Sequence, residues 1–374
     1  MQRVRHSIFP MIAAAVMLLV ACSPPDPVRI GFLGGLSMRV TDLGTGGLNG
    51  VRLAVDLRNK KGGIRGRPIE LIEEDDQQDP EVARQAVTRL IDHNVAAIIG
   101  PMTSAMAVAT LPLINRAQVV MISPTVSSNE LSRLDDYFFR VSASTRHFAH
   151  RSAEYNVRTL GLQRIQPICD QSNRSYTESW LADFSQAFSK AGGKILAPIS
   201  FSSGKEVNYS TLAQQALAEK PDGIILLSNS VDAAMFSQSI RRINPSIPLG
   251  TSEWAATERL VELGGRSVEG MVVAQLLNRN NAEPSYVAFR ENYTRRFRQE
   301  PGFSGLYAFD AANIIFDALE KKAPEQALKQ ALLSRKTFQG TLRTITLDDF
   351  GDTQGETNLS KIKDGVFVPL NSTN

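Results

Sequence analysis

From Val28 onward, short apolar runs alternate with longer stretches whose apolar positions recur every three or four residues. That is the signature of strands exchanging with amphipathic helices. Val28 to Leu33 reads as a strand running into glycines, and a helix follows with Leu48, Val51, Ala54 and Val55 on one face. Ile69 to Ile72 is a second strand, ending in the acidic run Glu73 to Asp76. Asp79-Pro80-Glu81 then opens a helix: an N-cap, a proline in the first turn and an acid at the positive end of the dipole. Val82, Ala86, Leu90 and Ile91 form its buried stripe. Val95–Ile99 is a strand, Ser104–Arg116 a helix and Val119–Ile122 a strand.

Near Arg140 to Arg146 the rhythm pauses and restarts. The second series places strands at Ile165–Cys169, Lys194–Ile199, Gly223–Leu227 and Ile247–Leu249, with helices near Tyr176–Lys190, Ser210–Lys220 and Val231–Arg242 between them. A strand over Met271–Leu276 is followed by helical stretches at Ser285–Arg298, Leu306–Leu319 and Pro324–Ser334. Leu342–Leu347 and Lys361–Leu370 then read as strands. Repeated β-α units predict parallel sheets covered by helices on both faces. The fold class is therefore α/β, in two doubly wound lobes. Arg140–Arg146 and Val273–Asn278 are the expected hinge segments.

The front of the chain has a different character. Arg3, Arg5 and His6 precede an apolar run, Ile8 to Val20, interrupted only by Pro10. This run is shorter than the roughly 20 residues that span a bilayer, and reads as a signal sequence over residues 1–21. Leu19-Val20-Ala21-Cys22 resembles the bacterial lipobox, whose cysteine is lipidated and becomes the mature N-terminus. Residues 22–27, rich in proline, would then be a stiff tether. The expected product is exported and lipid-anchored to a bacterial membrane, facing the periplasm or the cell exterior.

Composition narrows the function. The formal charge of the 374 residues is +3, and removing the first 21 leaves 39 cations against 38 anions. That balance excludes the basic excess of a nucleic-acid binder. With Cys22 acylated, Cys169 has no partner and reads as a buried thiol. No phosphate-binding loop, nucleophile elbow or dinucleotide fingerprint occurs. His147 and His150 lack the partners of a metal site, and the acidic run lacks the glycine and spacing of a calcium loop. No enzymatic activity, metal or cofactor is expected.

In open parallel sheets, ligands bind beyond the carboxyl ends of the strands. That rule selects Pro101–Ser104 and Ser123–Ser127 in the first lobe. In the second it selects Asp170–Tyr176, Ser228–Ser230 and Thr251–Trp254. These loops are rich in hydroxyls and include the carboxylates Asp170 and Glu253, of which Glu253 could pair with a cation, while Ser104 stands at a helix start that could meet an anion. The set suits a small zwitterion, although such residues also dominate ordinary turns and caps.

The glycine-rich segment Lys61–Pro80, Ile98-Ile99-Gly100-Pro101 with Ser104, Met121-Ile122-Ser123-Pro124-Thr125, and Val268-Glu269-Gly270-Met271 occur in an order that resembles periplasmic leucine/isoleucine/valine-type amino-acid-binding proteins. Those are substrate-binding components of ABC importers. The resemblance implies two lobes joined by three crossovers, with residues 28–143 plus about 275–345 in one and about 144–274 plus about 346–374 in the other. It implies a monomer that captures an amino acid in the inter-lobe cleft and meets a membrane permease. On the same fold, a lipid-anchored sensor without a transporter is the alternative. Ser104, Thr125 and Ser127 match the family's head-group residues, Tyr176 its second-lobe tyrosine, and Glu253 the carboxylate that pairs with the ammonium. Ser230 stands where some members carry an aromatic. Gly34-Gly35-Leu36-Ser37-Met38 departs from the family's usual turn, and the loop Asp170–Tyr176 is longer, so leucine specificity does not follow.

Overall fold

The computed structural model describes residues 25–370 except Arg39, Leu276 and Glu356. Cys22 and the signal sequence therefore lie outside the described residues. The first sheet is built from β1 (Val28–Gly34), β2 (Ile69–Asp75), β3 (Ala97–Ile99), β4 (Met121–Ser123) and β5 (Phe138–Arg140), in the order β2-β1-β3-β4-β5. All its pairings are parallel. Helix α1 (Asp42–Lys60) joins β1 to β2, α2 (Pro80–Asp92) joins β2 to β3, and α3 (Ser104–Ala117) joins β3 to β4. Ile30, Phe32 and Ile99 pack with Leu48 and Val51 in one apolar cluster, while Leu33, Ile98 and Met121 pack with Ala86, Leu90 and Ile114 in another. Two clusters on opposite faces explain why the strands read as continuous apolar runs.

After α4 (Thr145–Arg158) the chain builds a second sheet. Its strands are β6 (Arg164–Asp170), β7 (Lys194–Ile195), β8 (Ile199–Phe201), β9 (Gly223–Leu227), β10 (Leu249–Thr251), β11 (Val272–Gln275), β14 (Asn358–Lys363) and β15 (Val366–Pro369). The order is β15-β14-β11-β10-β9-β6-β7, with β8 also on β6. Between them run α5 (Arg174–Lys190), α6 (Tyr209–Ala218), α7 (Ser230–Ile243) and α8 (Glu258–Gly264). From β11 the chain enters α9 (Pro284–Phe297), α10 (Phe303–Lys321), α11 (Leu328–Arg335) and a hairpin of β12 (Thr337–Gln339) and β13 (Thr344–Thr346). Because α10 lies along α1, the chain passes between the lobes after β5, after β11 and before β14. No helix among the described residues is long and apolar enough to cross a membrane.

Several elements differ from the periodicity reading. The run at 194–199 divides into β7 and β8, since Pro198 carries no N–H for a ladder. Pro248 likewise precedes β10, which starts at Leu249 rather than Ile247. The stretch Lys361–Leu370 is two strands turned at Asp364 and Gly365, whose φ values of 50° and 74° are those of a tight hairpin. These strands pair antiparallel at the edge of the otherwise parallel sheet. Strands β5 and β12 follow no signal that the alternation carries; each is only three residues long.

The α1–α10 contact depends on a missing side chain. A Cβ on Gly50 would lie 2.0 Å from the carbonyl oxygen of Gly305, and neither atom belongs to a flexible group. Gly50→Ala is expected to destabilise the protein by about 1–3 kcal/mol, the usual cost of overpacking. Urea unfolding measures this, and an unchanged midpoint would show that the two helices part at no cost.

Candidate functional site

The loops at the carboxyl ends of the first sheet are tied to each other. Gly100 has a φ of +121° and stands where a Cβ would lie 2.0 Å from Leu33 O; only glycine fits, and the turn it makes feeds Pro101–Thr103 into α3. The hydroxyl of Ser123 donates to Pro101 O at 2.7 Å, and that of Thr125 to Met102 O at 2.6 Å. In the second lobe, Asp170 accepts the N–H groups of Ser172 and Ser203, both at 2.9 Å, fixing the loop before α5. A short turn, Glu253–Ala255, follows β10.

These loops meet around a cavity of about 20 Å³. Ser104 and Thr125 wall it from the first lobe, Asn173, Tyr176, Glu253 and Trp254 from the second, and Leu43, Met102 and Phe303 close its apolar side. A space of that size admits about one water, whereas ligand pockets usually exceed about 300 Å³. The lobes are thus closed on each other. Hydrogen bonds span the gap: Asp42 Oδ2 accepts Ser230 Oγ at 2.7 Å and Thr257 Oγ1 at 2.6 Å. Asn173 Oδ1 accepts the N–H of Ala105 at 3.0 Å, and Asn129 Nδ2 donates to Asp183 Oδ2 at 2.6 Å. A larger molecule enters only if these bonds break and the lobes separate.

Glu253 is 3% exposed. Its carboxylate accepts Trp180 Nε1–H at 3.1 Å and lies 3.4 Å from the donating hydroxyl of Ser127 across the cleft. Burial pushes its pKa up to about 7 despite those bonds, because no cation compensates the lost hydration. The buried Tyr176 hydroxyl and Ser252 Oγ sit beside it without a well-formed hydrogen bond. Unpaired buried polar atoms are uncommon, and two of those among the described residues flank this one carboxylate. A smaller adjoining cavity shares Leu43, Met102, Thr103 and Trp254 and reaches Asp76, whose carboxyl burial raises to about 6.

The residues selected from sequence are placed as follows. Ser104, Thr125, Tyr176 and Glu253 line one cavity. Ser127 reaches it through Glu253. Ser230 is the first residue of α7, after the Asn229 cap, lies away from the cavity lining and spends its hydroxyl on Asp42. Cys22 lies outside the described residues. Cys169 is buried, and its thiol is pushed up to about 12 by burial and the neighbouring Asp170; such a thiol is inert at neutral pH. Sequence reasoning missed Asp42, Trp180 and Asn173 as functional groups. Asp42 follows Thr41 at a helix start, which marks a cap and not a latch; Trp180 lies in an apolar helix stripe, which marks a core.

The profile of the periplasmic binding protein family matches residues 27–365, and the chain belongs to that family. Among its relatives, the Leu/Ile/Val-binding protein BraC3 of Rhizobium johnstonii is 21% identical over 346 residues, covering 91% of this chain and 93% of the relative. The leucine-specific-binding protein of Salmonella typhimurium is 23% identical, covering 92% and 93%. Among solved structures, a leucine-binding protein from Thermotoga maritima superposes with a TM-score of 0.85 at 22% identity, over 92% of this chain and 98% of that one. A branched-chain amino-acid substrate-binding protein from Streptococcus pneumoniae in complex with isoleucine gives 0.83 at 20%, over 92% and 99%. A solute-binding protein from R. palustris in complex with benzoate gives 0.82 at 19%, over 92% and 95%. The resemblance carried by residues 61–80, 98–104, 121–125 and 268–271 therefore holds, and the fold is the two-lobed, type I arrangement of that family.

Proposed function

We propose that this protein is exported, lipid-anchored at Cys22, and captures a small amino acid between its lobes for delivery to the permease of an ABC importer. The observation that carries the ligand class is the buried Glu253 carboxylate, held between Ser127 of one lobe and Trp180 of the other without a cation. A ligand ammonium would supply the missing charge, since a buried carboxylate is tolerated when paired and hydrogen-bonded. Ser104 and the backbone around Thr125 and Ser127 would face the ligand carboxylate. The relatives named above for leucine, isoleucine and valine support an amino acid, whereas the benzoate complex shows that the same fold in another protein accepts an acid without nitrogen. The apolar wall of Leu43, Met102, Phe303 and Trp254 favours a compact side chain.

Thermal melting against amino acids, amides and small acids tests this. Ligand at about 100 times its dissociation constant adds about 2.7 kcal/mol of stability, enough to move the midpoint by degrees. An α-amino acid is expected to shift it and the corresponding 2-hydroxy acid to leave it unmoved. A panel in which only nitrogen-free acids act would remove Glu253 from this role.

A further inference from the structure

The groove of about 630 Å³ at the base of the first lobe lies at the opposite ends of the strands from the cleft, where residues 26 and 27 lead into β1. Arg29, Arg65, Arg67 and Lys322 line it, and among the described lining residues Asp26 is the one acid. Most of these cations spend their side-chain hydrogen bonds on backbone carbonyls rather than on carboxylates. Arg65 donates to the carbonyls of Glu320 and Lys322. Lys322 Nζ donates to Pro324 O at 3.0 Å and Gln326 O at 2.9 Å. Arg67 donates to Asp26 O at 2.7 Å and Pro27 O at 3.1 Å. Arg29 meets Glu70 at 3.1 Å, a pair about half exposed on both sides and therefore weak. Glu320 accepts the Arg65 backbone N–H and pairs with Arg58, with which Asp317 also pairs, and Glu325 stands exposed next to Pro324. Lys60, Lys61 and Lys321 are exposed and lie within a few residues of the lining positions Ile64, Arg65 and Lys322 in the chain.

We propose that this groove docks on anionic phospholipid headgroups and sets the base of the first lobe against the membrane. The proposal rests on the reading that Cys22 carries the lipid. The grip of Arg67 on the carbonyls of Asp26 and Pro27 holds the tether at the groove. Asp26 lies four chain steps from Cys22, and at about 3.6 Å each these reach at most about 14 Å. The groove edge at Asp26 is therefore kept within about two Debye lengths of the lipidated residue at physiological salt. Each cation close to an anionic surface contributes about fivefold in partition. Docked this way, the first lobe is held while the cleft, at the far ends of the strands, opens away from the lipid.

The test is flotation of the mature chain carrying Cys22→Ser, so that acyl chains do not dominate, with vesicles of phosphatidylcholine alone or with a quarter phosphatidylglycerol. The expected result is at least about tenfold greater partition onto the anionic vesicles, lost in high salt. Arg65→Gln with Lys322→Gln keeps donors for the carbonyls and removes two charges; it is expected to reduce partition by about tenfold or more. Should that variant unfold, Lys60→Glu with Lys61→Glu, both exposed, takes its place with the same expectation. Equal partition onto both vesicles, or onto anionic vesicles by the charge variants, overturns the proposal. Fatty-acid labelling of the unmodified chain separates the two readings. Label with no flotation overturns the groove alone, flotation without label leaves the groove and removes the anchor, and neither overturns both.

Discussion

Glu253→Ala is expected to weaken the binding of any ligand with an α-ammonium by about thirty- to several-thousand-fold, the equivalent of about 2–5 kcal/mol. The size follows from burial. With the lobes closed, the ammonium would leave water and meet no other anion among the cavity-lining residues described. Ser104→Ala is expected to cost less, since a neutral hydroxyl contributes less than a charge. Calorimetry on both variants with the ligand found by melting provides the comparison. A Glu253→Ala protein that binds within about threefold of the parent would make Glu253 merely a turn residue.

The same carboxyl makes closure depend on pH. In the closed, ligand-free form its pKa is raised to about 7, whereas opening hydrates it and returns it to about 4.3. The closed form therefore holds its proton more tightly, so its advantage is full below about pH 4 and is lost as pH rises through about 7. Small-angle scattering of the ligand-free protein is expected to show a smaller radius near pH 5 than near pH 8, and Glu253→Gln is expected to reduce the difference, leaving the part due to the buried Asp76 carboxyl. A radius that grows on acidification would have the sign wrong.

Asp352→Ala is expected to destabilise the whole protein by about 3–5 kcal/mol, because it leaves a buried guanidinium unpaired. The Arg140 side chain is 2% exposed, and its Nε lies 2.8 Å from Asp352 Oδ1 as an ion pair, although the N–H is not aimed squarely at that oxygen. Its other nitrogens donate to Ser128 O at 2.9 Å and Ser132 Oγ at 2.5 Å. Arg140 ends β5 just before the first crossover, and Asp352 precedes β14 in the third. Their backbones are joined as well: Arg140 N donates to Gly351 O at 3.1 Å, and Thr353 Oγ1 to Val141 O at 2.8 Å. Two strands of the hinge are thus stapled by one ion pair. Urea unfolding measures the loss, and replacing both residues by leucine is expected to recover much of it. A loss below about 1 kcal/mol for the single variant would show that the two serines alone satisfy Arg140.

The alternation of strands and helices was legible in the sequence because burial inside one lobe repeats at the local periods of 2 and 3.6 residues. The site loops were legible for a related reason: a parallel sheet puts its ligands at strand ends, and those ends are marked by where apolar runs stop, as at Ile99 and Ile122. The pairing of lobes has no such period. Asp42 meets Ser230 and Thr257 across 188 and 215 residues of chain, and Arg140 meets Asp352 at a comparable remove, so nothing near either partner announces the other. Glu253 could be nominated from its loop, and its bond to Trp180 forms within the second lobe across 73 residues of chain, but the depth of its burial and its contact with Ser127 exist only once two separately folded sheets close on each other. The local sequence determined which surfaces face the cleft; the closure, the latch at Asp42 and the raised pKa of Glu253 belong to the tertiary structure, because each depends on water being excluded from both lobes at once.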